Sequence, residues 1–448
     1  MKVAVVVGGG IAGLVSSILL SKKYVTYLIE KEEECGGLLR SIKNSEDVYF
    51  DQGTHIISET NIPELDNLLF GTLQENDWES FNVLKTGNYY LGKMYSDNNY
   101  VYAPSLPRDL FNQGLAELLS TESACVETHN MKDYTEKQFG STFSKHIFAP
   151  IMKKITGCAL EELHPSAVNL FTLSRIIVGD EHMSRELKKS PFFDSKLSYS
   201  SYNEGVSAIK KYYPQNKRGI GQWISMLVNR AMSSGVKIMN GRSVKSVGSY
   251  NNNVRSIELD DGAIINCDQL IWTISAFPLL QAANIPFNGT RPIFRPMTLH
   301  HYMIDQPFLD SNYYVYCYDS DLLSYRVTLY PNITNSEDKL SPPYTCTVEV
   351  LSDQTDDLNV LNNTIFQELK HMGIVNSTSR LLYQNVQVVK EGFPVPTPEF
   401  IAQTNEMNNI VNERFSNVAL LGKGSGNGFF MRDILKQVHQ ETTRLLEM

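Results

Sequence analysis

What most constrains this chain lies in its first thirty residues. Lys2-Val3-Ala4-Val5-Val6-Val7 is a β-branched run of the kind that forms a strand buried on both faces. It leads directly into Gly8-Gly9-Gly10-Ile11-Ala12-Gly13, a G-x-G-x-x-G turn, and then into an apolar helical stretch over 14–20. Residues 24–29 read as a second short strand ending on Glu30. Each part has a physical task. Gly8 permits the tight turn, Gly10 lets the backbone approach a pyrophosphate, and Gly13 lets helix and strand pack closely. The helix start at Ile11 and Ala12 presents unsatisfied N–H groups and a partial positive charge to phosphates. Glu30 is placed to accept hydrogen bonds from an adenosine ribose. An acid at that position favours an unphosphorylated ribose, hence FAD or NAD rather than NADP. A glycine turn alone is weak evidence; here the strand before, the helix after and the acid beyond are all present.

At 448 residues the chain is too long for one ordinary core and suggests two or three domains. Its 42% hydrophobic and 20% charged residues are those of a soluble globular protein. A net charge of −9 without a basic block argues against nucleic acid as a main partner, yet is compatible with a local basic pocket for an anionic substrate. After the start no run of eighteen apolar residues suggests a membrane span. The apolar start carries the glycine fingerprint and lacks a small-residue cleavage site, so it reads as strand and helix, and a cytoplasmic protein is expected. Six cysteines are scattered with no C-x-x-C pair, so neither a metal site nor a disulfide framework is expected.

Further along, a second glycine turn, Gly36-Gly37, follows the ribose acid, which an ordinary NAD domain lacks. Residues 48–55 read as a strand ending in a polar turn at His55. Residues 60–200 are mostly helical in pattern, for example over 110–119, 135–148 and 166–178. Gly219 and Gly221 precede an amphipathic helix over 222–233. Short strands follow at 236–238 and 243–246, with a hairpin over 254–266 around an Asp-Gly turn and a strand at 268–273. Residues 291–395 are strand-rich, with strands at 313–316, 324–329, 344–351 and 384–389 and one helix near 358–372. A final buried strand at 417–422 leads through a glycine-rich turn into a helix from about Met431. The fold expected is α/β: a Rossmann-like FAD-binding domain assembled from discontinuous segments (1–60, 205–285 and 410–448), a helical insertion (61–204) and a mixed-sheet substrate-binding domain (286–409).

In this order, the segments resemble the flavoprotein superfamily that contains amine oxidases, protoporphyrinogen oxidases, carotenoid desaturases and UDP-galactopyranose mutases. Residues 5–30 look like its adenosine site. Glu30 and Lys31 through Gly36-Gly37-Leu38-Leu39-Arg40 are similar to its acid, double-glycine and basic stretch, implying ribose and pyrophosphate contacts from Lys31, Gly37, Leu38 and Arg40. Val244 looks like the valine whose backbone meets adenine. Gly422 to Ile434, including Phe430 and Met431, resembles the flavin motif in which a helix start faces the isoalloxazine ring. The resemblance implies FAD, held without a covalent bond because that motif has no cysteine. Two departures stand out: Ser275 occupies the family's proline position, and Thr54 replaces the second glycine of an Asp-x-Gly-Gly-His turn.

Such a cofactor carries the chemistry while the protein positions and polarises it. His55 is the first catalytic candidate, because its turn resembles one beside the flavin; the plainer reading is a histidine bonded within a structural turn. Arg326, on a strand, could hold a substrate carboxylate or phosphate bidentately, or be a salt-bridged structural arginine. Tyr313, Tyr314, Tyr316 and Tyr318 read more as a sheet face than a substrate cage. His300-His301 lacks a metal-ligand partner, and Lys153-Lys154 reads as a solvated face. The favoured reading is an FAD oxidoreductase acting on a small organic substrate. A redox-neutral mutase on a nucleotide sugar comes second. A non-enzymatic protein, similar to the prenyl-GTPase escort proteins and GDP-dissociation inhibitors of the same superfamily, comes third and is opposed by the intact glycine and Glu30 set.

Overall fold

The computed structural model describes residues 2–447 apart from 97, 122–127, 171–172, 201–208, 216, 290–292, 335–339, 352–356, 427 and 429. The opening strand Val3–Val7 is the centre of a five-stranded parallel sheet. The order is Lys237–Met239, Val25–Ile29, Val3–Val7, Gln269–Trp272 and Val418–Leu420. Val5 sits in register between Tyr27 and Leu270, and Ala4, Val5 and Val6 are fully buried. A β-branched run covered on both faces requires this.

On one face the helix Ile11–Leu20 packs with Gly221–Ser233 and Met431–Glu447 around Leu14, Leu20, Trp223 and Leu435. On the other, an antiparallel sheet (Val244–Tyr250, Asn253–Leu259, Ile264–Asn266) and the helices Ala276–Ala282 and Pro398–Arg414 close over Val5, Leu270 and Trp272. The chain leaves the opening strand to one side, for Val25–Ile29, and fills its other side only on a later return, with Gln269–Trp272. The crevice beyond its carboxyl end is therefore a topological switch point, where dinucleotides bind in open α/β sheets.

A second, mixed sheet has seven strands in the order Leu381–Pro394, Phe294–Ile304, Tyr344–Leu351, Ser324–Leu329, Tyr314–Cys317, Thr86–Tyr90 and Lys93–Tyr95. The helix Leu358–His371 covers one face, burying Ile365 and Leu369 against Val327 and Val348. Helical segments from earlier in the chain cover the other, with Phe143, Phe148 and Met152 in one core with Leu299, Tyr316 and Tyr325.

Three expectations for residues 60–200 need correction. The stretch is less helical than its pattern suggests, because Thr86–Tyr90 and Lys93–Tyr95 form a hairpin at the edge of the mixed sheet. Leu91 and Gly92 both take positive φ, 51° and 75°, as a two-residue mirror turn requires. Leu-Gly lacks the usual Asn-Gly or Asp-Gly signal; the Asp319 carboxylate supports the turn instead by accepting both N–H groups. The 166–178 stretch is helical only over Ala167–Leu170, and its β-branched Ile176–Ile177 pairs with Val101–Tyr102; residues 171–172 lie outside the described residues. The helix expected over 135–148 breaks at Gly140 (φ +87°) into Met131–Phe139, Ser141–Phe143 and a π-helical turn at Ser144–Phe148. Among the described residues, no helix is long and apolar enough to cross a membrane.

Candidate functional site

Three glycine turns meet at the switch point. Gly8 has φ +101°, and a side chain there would reach within 2.4 Å of Thr273 Oγ1. A side chain at Gly13 would lie 1.8 Å from the Gly8 carbonyl oxygen, which measures how tightly helix and strand pack. Gly10 is the opposite case: a Cβ built on it meets nothing within 4 Å. Gly10 is also the N-cap of the helix, with no side-chain cap bond and no acid in the first turn. The amides of Ile11 and Ala12, with the positive end of the helix dipole, therefore face open space sized by the glycines around it. This cradle fits a pyrophosphate.

The second turn docks on the first: the Gly36 N–H donates to the Gly9 carbonyl at 2.9 Å. Gly36 and Gly37 both have positive φ, and a Cβ on Gly37 would lie 3.5 Å from the Gly10 Cα. Arg40 Nε donates to the Gly37 carbonyl at 3.1 Å, which holds the turn from behind. Lys31 and Leu38 are exposed on this segment. The third turn supplies the far wall. Gly422 (φ +78°) brings its backbone so near the first helix that a Cβ would lie 3.1 Å from the Ala12 Cβ. Phe430 is exposed, and Met431 opens the last helix against the first core; Asn427 and Phe429 of this motif lie outside the described residues.

Glu30 is buried at the end of its strand and already has two partners. Its Oε2 accepts the Gly9 N–H at 2.6 Å and its Oε1 the Glu32 N–H at 2.9 Å. It thus clamps the glycine turn. The Arg242 N–H donates to the Glu30 carbonyl at 2.9 Å, bringing the strand that begins at Val244 towards this acid.

Asp51, which the sequence marked only as part of a turn, is fully buried and ties the socket to the mixed sheet. Its Oδ1 accepts from Ser41 Oγ at 2.7 Å and from the Ile220 N–H at 2.8 Å, while its Oδ2 accepts from Tyr213 Oη at 2.6 Å. Its N–H donates to Tyr330 Oη, which is bonded in turn to Thr347 Oγ1. Burial pushes the Asp51 carboxyl up to about 6, against the pull of the Tyr213, Ser41 and Ile220 hydrogen bonds. Gly219 is needed beside it, since a Cβ there would lie 2.6 Å from both Asp51 Oδ1 and Ser41 Oγ.

A charged cluster lies beyond Asp51. Arg326 pairs across the mixed sheet with Glu349 on one side and Tyr316 on the other. Its Nε and Nη2 donate to the two Glu349 oxygens at 2.8 and 2.7 Å, and its Nη1 donates to Tyr316 Oη at 3.2 Å. Glu349 Oε1 also accepts the Thr54 N–H at 2.9 Å, so the Thr54–His55 turn hangs on this carboxylate. Burial works to raise the Glu349 carboxyl, but the Arg326 guanidinium outweighs it and holds the group below the usual range. His55 Nε2 lies 3.1 Å from the Gln52 carbonyl oxygen. Burial, then the Arg326 charge, push the imidazole down to about 4, with Glu349 opposing and Lys423 adding to the shift. Lys423, next to Gly422, is held down at about 8 by burial and by Arg326, and its ammonium stands 5.6 Å from the centre of the Phe393 ring.

The two catalytic candidates, His55 and Arg326, are therefore brought together, and Arg326 is the salt-bridged arginine that was one of its two readings. Sequence reasoning did not single out Glu349 or Lys423. A lone carboxylate inside the apolar strand Tyr344–Leu351 was the available signal for the first. A lysine directly after the last strand's glycine was the signal for the second. Tyr316 stacks on Tyr318 and meets Tyr325 edge to face within a core. His300 bonds to Asn362 Oδ1 and His301 to Thr347 Oγ1, each at 2.8 Å. Lys154 departs from the solvated reading: its ammonium donates to the carbonyls of Cys317, Asp319 and Ser324 at 2.7–2.9 Å, tying a helix to the sheet. A separate cavity of about 750 Å³ lies among the helices, lined in part by Lys132, Glu136 and His146, and none of the cluster's residues line it.

The fold and the glycine socket define a protein built around a flavin-type dinucleotide. Residues 6–69 match the family model described as an NAD(P)-binding Rossmann-like domain. The chain is 21% identical to a 4,4'-diaponeurosporene oxygenase of Staphylococcus haemolyticus, over 86% of this chain and 83% of that one. It is 23% identical to a 1-hydroxycarotenoid 3,4-desaturase of a Flavobacterium species, over 77% of this chain and 75% of that one. A crystal structure of reduced UDP-galactopyranose mutase has the same fold, with a TM-score of 0.78 and 15% identity, covering 100% of this chain and 96% of that one. In sequence and in fold the chain is thus similar to carotenoid-modifying enzymes and to proteins of the mutase and protoporphyrinogen oxidase fold.

Proposed function

We propose that this protein is an FAD-dependent oxidoreductase of the amine oxidase and protoporphyrinogen oxidase type, acting on a small organic substrate with FAD held non-covalently. The observation that carries this reading is the docking of the second glycine turn on the first, Gly36 N–H to Gly9 carbonyl. That contact extends the phosphate cradle past what an NAD site needs, towards the third turn at Gly422. In this reading Gly8, Gly10, Ile11, Ala12 and Gly13 hold the pyrophosphate with Gly37, Leu38 and Arg40. Glu30 and Lys31 take the ribose, Val244 lies at the adenine, and Gly422, Phe430 and Met431 lie at the flavin. Segments 1–60, 205–285 and 410–448 form the cofactor domain, 61–204 the insertion and 286–409 the substrate half.

When bound, the flavin supplies the electron acceptor for the substrate. The chain's own task is to orient the substrate and set the charge around it. A neutral His55 is available as a hydrogen-bond partner at neutral pH, and Glu349 and Arg326 fix the Thr54–His55 turn. The names of the two carotenoid-modifying relatives support redox chemistry. The likeness to a mutase over nearly its full length favours a second reading, redox-neutral chemistry on a nucleotide sugar. The absorbance spectrum of the purified protein tests the first claim: a colourless protein that takes up no added FAD refutes both readings. With FAD bound, bleaching of the flavin by a substrate supports oxidation, whereas turnover of UDP- or dTDP-sugars only after prior reduction supports the mutase.

A further inference from the structure

We infer that the cavity of about 750 Å³ among the helices is a binding site for a small organic anion, a carboxylate or a phosphate monoester with a short apolar body. Every residue that lines it falls between Leu110 and Glu161, so it stands apart from the glycine cradle and from the His55 and Arg326 cluster. The inference therefore does not depend on the flavoenzyme reading. In size the cavity falls within the range of about 300–1,000 Å³ usual for small-molecule sites. Its buried lining residues, Thr142 and Ser144, are already fixed by hydrogen bonds. Thr142 donates through Oγ1 and N–H to the two Glu117 oxygens at 2.8 and 2.7 Å, and Ser144 Oγ lies 2.7 Å from Thr135 Oγ1. Those polar groups hold the wall in shape without a ligand.

One wall owes its form to Pro150. Proline has no N–H, and its ring excludes the carbonyl four residues back, here that of His146. The chain answers with the π-helical turn Ser144–Phe148, closed by the Ala149 N–H on the Ser144 carbonyl. Ile147 and Phe148 are fully buried in the core, while the adjacent Lys145 and His146 both line the cavity. Widened turns of this kind occur frequently at functional sites.

The charge of the lining points to the ligand. Lys132, Lys145 and Lys153 stand there against Glu136 and Glu161, on a chain whose net charge is −9. Lys132 is held by Glu161 at 2.9 Å, and Lys153 donates to the Gly157 carbonyl at 2.7 Å. Lys145, exposed, and His146, half-buried, make no side-chain hydrogen bond or ion pair among the described residues. Two adjacent basic groups in a concave wall focus positive potential on whatever enters. Leu110, Ala149 and Leu160 in the same lining offer apolar surface to the body of that ligand. A neutral molecule would gain only the second of these contacts.

The test titrates the full chain with hexanoate, hexyl phosphate and neutral hexanamide by calorimetry, with and without added FAD. At least one anion should bind, and hexanamide should bind at least about tenfold more weakly, the loss expected for one charge-assisted hydrogen bond. The tighter of the two anions tells a carboxylate site from a phosphate site. Lys145→Gln combined with His146→Gln should weaken that anion at least about tenfold. His55→Ala should leave it within about threefold, as expected for a residue outside the site. Added FAD should likewise change the affinity by no more than about threefold. Binding of hexanamide as tight as that of the anions, no binding of either anion, or an affinity unchanged in the double variant overturns the proposal. Displacement of the anion by FAD, or its loss in His55→Ala, places it in the crevice and overturns the proposal as well. If the double variant does not fold, Lys145→Gln alone, which alters one exposed side chain, decides by the same criterion. A protein that binds the anion but never takes up FAD refutes the flavoenzyme reading alone.

Discussion

Glu349 holds Arg326 by two parallel hydrogen bonds, 2.8 and 2.7 Å long, inside the mixed sheet, and with its remaining capacity it holds Thr54 of the neighbouring turn. One buried carboxylate thus joins the mixed sheet to the Thr54–His55 turn. Removing either member leaves the other charge buried and uncompensated, which typically costs about 3–5 kcal/mol. Arg326→Met and Glu349→Gln should each lower the urea midpoint sharply. Arg326→Met with Glu349→Met should recover part of the loss, because no naked charge remains. A double variant as unstable as the sum of the singles would show that the pair is not coupled.

The glycines of the opening turn should separate stability from binding. Gly10→Val puts a side chain into open space, so the unfolding free energy should change by about 1 kcal/mol or less, the size of a poor N-cap. FAD uptake should drop at least tenfold, because the side chain occupies the phosphate cradle. Gly13→Ala meets a backbone oxygen at 1.8 Å, and the overpacking should cost about 3 kcal/mol or prevent folding. Fluorescence-monitored unfolding beside FAD titration resolves the two effects.

Acid should destabilise this protein between pH 7 and pH 5, mainly through two buried histidines. His300 and His301 are fully buried, and burial lowers their pKa values to about 4 and about 3 from 6.5. Both are neutral in the fold, while the unfolded chain takes up protons below 6.5. Their stabilisation is complete above 6.5 and is lost as the pH falls towards the folded values. At pH 5 each contributes about 2 kcal/mol of lost stability. Asp51 works the other way: its pKa is raised to about 6 from 3.8, so it favours the fold more as the pH falls from 6 to 3.8, offsetting on the order of 1 kcal/mol at pH 5. The net is a fall in unfolding free energy between pH 7 and pH 5. His301→Gln should flatten that slope; a slope as steep as that of the natural protein would place the proton uptake elsewhere.

Lys154 should prove costly to remove. Its ammonium serves three carbonyl oxygens, and Lys154→Met strands all three in a partly buried place. A loss of about 3 kcal/mol is expected, at the upper end for a charged hydrogen-bonding group. The neighbouring Lys153 is exposed, donates to Gly157 O and serves as the control. Lys153→Met should shift the melting temperature by less than about 2 °C, the scale of a neutral surface change.

The nucleotide half was legible because its signals are local. The run Val3–Val7, the glycines and Glu30 sit within thirty residues, and each residue type has one steric or electrostatic reason to be there. The strand-rich region was legible from its β-branched and aromatic runs. What sequence could not yield was any feature whose cause lies far along the chain. The Leu91-Gly92 turn is held by Asp319, Lys154 by carbonyls more than 160 positions away, and Arg326 by a carboxylate on a separate strand. Lys153-Lys154 has the same composition whichever ammonium is exposed; only the packing of the sheet tells them apart. Asp51 sits in a local turn, yet its hydrogen-bond partners come from 41, 213 and 220, three separate segments.

The five-stranded sheet takes its strands from positions near 3, 25, 237, 269 and 418. During synthesis the first βαβ unit emerges early but must wait about two hundred further residues for the strands near 237 and 269 that cover its two edges, and nearly four hundred for the outer strand near 418 and the closing helix. Until then one edge of a very apolar sheet stands open, which is when strand mispairing is most dangerous. The nucleotide half therefore cannot be cut out as a continuous fragment. Expression yield should depend strongly on keeping the last thirty residues intact, even though the fingerprint itself is at the other end.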